Sequence, residues 1–265
     1  IVLMVASFIS AALVDEVTSV LFMLTALLHL TNKHQVNPVP FVMMIVFATN
    51  IGSSATVVGN PIGVMIAQRA GLTFEDFLRW ALPLAVLALA VAIPLCLMLF
   101  RGPINELGEK MKAHHTARHP ETIDVTPISR KVLRTCWWLF GITVALLVGH
   151  SQMEHWLGLE KNTMLLGTSL AAAGTALWLS GERARELVEK RIDWWTLTFF
   201  ILLFASVGTL KLTGVTTALA NWVMDVAQGR LGVLLALITG AASLLTAFLD
   251  NVLAVATFVP VMGDL

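Results

Sequence analysis

Tyrosine is absent from this sequence, cysteine occurs twice, and charged side chains make up 13% of its 265 residues. Each scarcity excludes something. Soluble domains carry about 25% charged residues, so too few charges remain here to cover a water-facing surface. Cys96 and Cys136 lie far apart in apolar stretches, which argues against a disulfide framework or a thiolate metal site. Seventeen Lys and Arg balance seventeen Asp and Glu, so no overall charge points to a nucleic-acid partner. What is present is apolar, with 57% hydrophobic residues. The natural solvent for much of the chain is therefore the lipid bilayer. Trp80, Trp137, Trp138, Trp156, Trp194 and Trp195 fall near ends of apolar runs, where interfacial aromatics belong.

The chain opens on Ile1-Val2-Leu3-Met4 without a basic leader or a small-residue cleavage site, so these residues do not read as a signal peptide. Both ends fall at apolar runs, and the expectation is a fragment of a longer protein. A spanning helix needs about 20 apolar residues, and residues 80–100, 133–149, 162–180 and 196–215 meet that requirement. Three further apolar regions are interrupted by polar residues. Residues 1–30 are broken at Asp15-Glu16, residues 39–70 from Asn50 to Pro61, and residues 231–262 at Asp250-Asn251. Residues 101–131 are polar with three prolines and read as a linker, and 181–191 as a short charged helix or loop. Lys and Arg concentrate in these two stretches, which places both on the cytoplasmic side of a cytoplasmic membrane.

That topology turns the first and last broken regions into re-entrant hairpins entering from opposite faces, each arm about 14 residues and so shorter than a span. Their strings, SAALVDEVTSV (10–20) and LTAFLDNVLAV (245–255), are weakly alike. The expected fold is thus all-α and membrane-embedded, an inverted repeat with re-entrant helical hairpins and a broken transmembrane helix, an architecture common among secondary transporters. Residues 1–100 would end repeat one and residues 132–265 begin repeat two.

Irregular backbone at membrane depth must be buried in protein or line a wet cavity. The segment 49–61 carries Gly52, Gly59 and Pro61 for the break and Asn50, Ser53, Ser54, Thr56 and Asn60 as neutral ligands. Freed carbonyls there can coordinate a cation, and the half-helix starting at Pro61 can face an anion. A kinked helix whose polar groups only pack against neighbours is the bland alternative. An acid at membrane depth costs about 2.5–3.5 kcal/mol on insertion scales, so Asp15 and Glu16, with Thr18 and Ser19 beside them, are candidates for binding an ion or carrying a proton. Adjacent acids would share one proton between them. Asp250, Asn251 and Thr246 form the counterpart in the second hairpin. The alternative for both tips is an aqueous loop between complete helices.

The motif ATNIGSSATVVGNPIGVMIAQRAGLTFEDFLRWALP (48–83) resembles the signature of the ion transporter superfamily. That group includes arsenite permeases, sodium/proton antiporters of one subtype, citrate and dicarboxylate permeases, and the pigment-cell P protein. Asn50, Gly52, Ala55, Thr56, Gly59 and Pro61 match its usual S-N-I-G-G-x-A-T-L-I-G-D-P-P-N pattern, whereas Ser53 replaces a glycine and Asn60 an aspartate. Residues 192–215 resemble the family's I-D-W-x-T-L-L-F-F run, and 247–252 its hairpin tip S-A-x-L-D-N-V, to which 11–17 is looser because Glu16 stands where Asn is usual. The resemblance implies a permease, not an enzyme. It would carry a small ion by alternating access, coupled to a sodium ion or proton, with no other cofactor and with room for a homodimer. Inorganic ions stand narrowly ahead of citrate or dicarboxylates as substrate, since no Ser-Asn-Thr occurs at either hairpin. A membrane enzyme on lipid-linked substrates would need clustered His and Asp at one interface, and a channel a continuous pore.

Overall fold

The computed structural model describes residues 1–116 and 129–248, with residues 255 and 258 besides. Among the described residues the chain is helical and has no strand. It divides into two compact units, residues 1–64 with 73–168, and residues 65–72 with 169–265.

The first unit is built around α1 (Val2–Leu13), α2 (Glu16–His34) and α3 (Val39–Ser53). Met4, Phe8, Ala11 and Ala12 of α1 meet Phe41, Met44, Ile45 and Ala48 of α3, with Met23 and Leu27 of α2 closing the core. The expected interruption at Asp15-Glu16 is real: α1 stops at Leu13 and α2 starts at Glu16. The arms are not equal, however. α1 has 12 residues and α2 has 19, so only α1 is of the short length expected. Gln35, in the left-handed conformation, ends α2, and Lys110 donates to its carbonyl at 2.8 Å, a cation placed at the negative end of the helix.

α3 gives way to a helix-free stretch before α4 (Pro61–Ala70). α5 (Phe74–Asp76) is a single turn closed by a capping box between Thr73 and Asp76. A wide π turn, Phe77–Ala81, leads into α6 (Leu82–Leu99). Pro83 explains the wide turn. It has no N–H, and its ring would strike the carbonyl four residues back in a regular helix. The whole of Phe74–Leu99 runs on for 26 residues, longer than the 80–100 expected, because the amphipathic start is continuous with the apolar part. α7 (Arg101–Thr116) opens the stretch read as a linker. Pro103 is tolerated there since first-turn amides have no helical partner, and Ile104 and Leu107 pack on the core. α8 (Arg130–Val148) and α9 (His150–Leu157) complete the unit up to the start of α10 (Thr163–Ser180).

In the second unit α10 continues through a 3-10 turn, Gly181–Arg183, into α11 (Ala184–Lys190). α12 (Trp194–Leu212) packs on α13 (Val215–Ala227), and α13 on α14 (Leu231–Phe248). Gly214 and Gly229 take positive φ angles of 74° and 71° at the two joints, the conformation that glycine adopts without a Cβ penalty. Among the described residues four helices are long and apolar enough to cross a membrane: Phe74–Leu99, Arg130–Val148, Thr163–Lys190 and Leu231–Phe248. The last corrects an expectation. Its 18 residues exceed the 14-residue hairpin arm proposed from sequence, since no charged residue interrupts it before Asp250.

Candidate functional site

A break in a helix leaves carbonyls at one end and amides at the other without helical partners. The break between α1 and α2 finds those partners in the stretch after α3. Thr56 donates its hydroxyl to the Ala12 carbonyl at 2.6 Å, one of the open carbonyls at the end of α1. The Glu16 amide, at the open start of α2, donates to the Gly59 carbonyl at 3.0 Å. Ser10 and Ser19 hydroxyls meet at 2.9 Å across the break, with Ser19 buried.

Two glycines make that approach possible. A Cβ on Gly52 would fall on the backbone carbonyl of Phe8, and one on Gly59 on the carbonyl of Ser53. Both contacts are with backbone, which cannot rotate away. α3 can therefore lie against α1, and the stretch 54–60 can fold back on the end of α3, only where these side chains are missing.

The polar side chains then form a directed chain. The Gly63 amide donates to Asn60 Oδ1 at 2.8 Å. Asn60 is thus the N-cap of α4, with Pro61 in the first helical position, where a missing N–H costs nothing. That bond fixes the orientation of the amide, so Asn60 Nδ2 faces outward and donates to Ser53 Oγ at 3.2 Å. Ser53 Oγ lies 2.9 Å from Glu16 Oε2 and 3.0 Å from the Asn50 carbonyl, with its proton available to either. Ser53 and Thr56 are buried, Glu16 and Asn60 half-buried.

The other expected residues are placed differently. Asp15 accepts the Thr18 amide at 3.0 Å and the Thr18 hydroxyl at 3.2 Å and so caps α2. Asp15 bonds to Thr18 while Glu16 meets Ser53. Thr18 and Ser54 are exposed, and Ser54 turns back to the Ile51 carbonyl of its own helix. Asn50 bonds through Nδ2 to the Val46 carbonyl while its carbonyl faces Ser53. Thr246 is half-buried on α14 and donates to the Ser243 carbonyl at 3.1 Å. Asp250 and Asn251 lie outside the described residues.

The sequence matches the citrate transporter (CitMHS) family over residues 1–265. The chain belongs to the citrate transporter family. Among its relatives an uncharacterized transporter of Mycobacterium tuberculosis strain H37Rv is 32% identical over 265 residues, all of this chain and 58% of that protein. A 46 kDa membrane protein of Mycobacterium leprae is 31% identical over 259 residues, 97% of this chain and 57% of that one. An inner membrane protein of Escherichia coli is 30% identical over 175 residues, 65% of this chain and 39% of that one. The chain thus spans a little under three-fifths of the mycobacterial relatives' length. It is a multi-pass membrane protein of a family named for transport, and several of its relatives are named as transporters.

In this member of the citrate transporter family, three of the departures from the pattern that the sequence resembles occupy one hydrogen-bonded chain. Asn60 stands where an aspartate is usual, Ser53 where a glycine is, and Glu16 where an asparagine is. An aspartate at 60 could cap α4 but could not donate to Ser53, and a glycine at 53 could not reach position 16 at all. The network of this chain thus holds one carboxylate, that of Glu16 at the start of α2.

Sequence reasoning missed a second polar node, between α8 and α10. Glu154 is buried, and its carboxylate accepts the Asn162 amide at 3.0 Å and the Met164 amide at 2.8 Å, capping α10 from outside the helix. His150, one turn earlier and fully buried, bonds through Nδ1 to the Leu147 carbonyl at 2.8 Å and lies 3.4 Å through Nε2 from Asn162 Oδ1. The signal was the spacing of His150 and Glu154, four residues apart and therefore on one helix face.

Proposed function

We propose that this chain is part of a secondary active transporter that moves a citrate-class carboxylate across the cytoplasmic membrane, coupled to a proton or sodium ion. The observation that carries the reading is the bond from Ser53 to Glu16. It joins a carboxylate at one helix break to the polar segment at another. Glu16 can exchange a proton or neutralise a cation, and the neutral oxygens of Ser53, Asn50 and Asn60 can complete its shell. The family description favours a carboxylate substrate over the inorganic ion preferred from sequence, and the E. coli relative's name supports the cytoplasmic membrane. In this reading residues 1–34 act as a hairpin, and α3 and α4 as the two halves of a broken helix. Transport then proceeds by alternating access.

The direct test is uptake of labelled citrate into proteoliposomes holding the full-length protein, under an imposed proton or sodium gradient. Uptake driven by one of the gradients supports the reading. Uptake of an inorganic oxyanion with no citrate uptake restores the inorganic-ion alternative, and equilibration independent of both gradients refutes coupling.

A further inference from the structure

The first two turns of α8 carry an arrangement that the transport site does not use. Arg130, Leu133, Arg134, Trp137 and Trp138 line a shallow groove of about 430 Å3. At 100° per residue these five side chains fall within an arc of about 140° on one face of the helix. All five are exposed, Trp137 at 65% and Trp138 at 67%. Among the described residues neither guanidinium has a carboxylate partner. The order along the helix is as telling as the composition. The arginines come first and the indoles next, roughly 5–12 Å further along at 1.5 Å per residue. Beyond them the helix stays apolar to Val148, and Arg130–Val148 as a whole is long enough to span. That is the depth profile of one membrane leaflet, with phosphates outermost, the indole-preferring interface beneath and hydrocarbon below.

We propose that this groove is a binding site for an anionic phospholipid. The headgroup phosphate would lie between Arg130 and Arg134, and the glycerol and upper acyl chain against Leu133, Trp137 and Trp138. Arginine is suited to the first task because its planar fork donates two parallel hydrogen bonds to phosphate oxygens. The indoles suit the second because they pack on acyl chain while their N–H stays within reach of ester oxygens. A zwitterionic lipid presents the same phosphate with a cation beside it, so two unpaired guanidiniums select against it.

The test is lipid binding to the detergent-solubilised protein by native mass spectrometry, with phosphatidylglycerol and phosphatidylcholine as probes. The protein should retain phosphatidylglycerol preferentially. A surface Arg contributes about a factor of five to binding an anionic lipid, so the Arg130→Gln/Arg134→Gln variant should lose about thirtyfold in affinity for it. Removing equal charge elsewhere, in Arg183→Gln/Arg185→Gln, should leave the preference intact. Brominated lipids give a second readout: brominated phosphatidylglycerol should quench tryptophan fluorescence more than brominated phosphatidylcholine, and the excess should vanish in Trp137→Phe/Trp138→Phe. Equal loss in the two arginine variants, or an excess quenching that survives the tryptophan variant, overturns the proposal.

Discussion

The candidate site rests on two kinds of residue, those that bond and those that make room. Gly52 is of the second kind. Any Cβ there meets the Phe8 carbonyl, so Gly52→Ala must push α1 and α3 apart. Overpacking of this kind costs about 1–3 kcal/mol, and the bonds from Thr56 to Ala12 and from Glu16 to Gly59 would lengthen with it. A thermal melt in detergent should show Gly52→Ala clearly destabilised. Gly167→Ala, where a Cβ meets nothing within 4 Å, should melt at or above the native temperature, since alanine is the better helix former. At this scale much was legible in the sequence: Gly52, Gly59, Ser53, Thr56 and Asn60 stood out because a cluster of small and polar residues has no reason to sit in an apolar run. The division of labour between Asp15 and Glu16 was not. Adjacent acids look equivalent in a string, and only the start of α2 makes one the cap and the other the partner of Ser53.

At the level of elements, two caps make different predictions. Glu154 is buried and holds two amides at the start of α10. Removing a carboxylate from a buried donor pair leaves both amides unsatisfied, at about 1–3 kcal/mol, so Glu154→Ala should lower the unfolding midpoint, whereas Glu154→Gln retains an acceptor and should lose less. Asp193 is a surface cap. Its Oδ2 accepts the Thr196 hydroxyl at 2.6 Å and its Oδ1 the Thr196 amide at 3.0 Å. The Thr196 hydroxyl first, and its amide second, hold the carboxyl below its ordinary value. A carboxylate whose value is depressed on folding stabilises above the unfolded value and loses that contribution as pH falls through the folded one. Protection of the 194–197 amides, relative to their intrinsic exchange rate at each pH, should therefore fall on acidification below the ordinary aspartate range in the native protein. In Asp193→Asn that protection should be insensitive over the same range, and in Asp193→Ala low at every pH. The existence of the helices was readable from their apolar lengths. Their ends were not: α7 inside an apparent linker, and the 19 residues of α2, depend on packing of Ile104, Leu107, Met23 and Leu27 that no local pattern announces.

For the whole molecule, α8 sets a direction. Arg130, Lys131 and Arg134 stand at its start, and the loop with Glu160 and Lys161 lies beyond its end. By the positive-inside rule the first end is expected on the cytoplasmic side. A cysteine at Glu109→Cys should then react only with reagent admitted to the inner side, and one at Glu160→Cys only from outside, in a protein whose Cys96 and Cys136 have been replaced. Reaction of both from one side would invert or break the topology on which the transport reading depends. In the proposed transport reading the carboxylate bonded to Ser53 is where coupling occurs. Citrate uptake into proteoliposomes as a function of external pH, comparing the native protein, Glu16→Gln and Asp15→Asn, probes that role. Glu16→Gln should flatten the pH profile while Asp15→Asn, which retains a capping oxygen, leaves it in place. A Glu16→Gln profile that superimposes on the native one would contradict it.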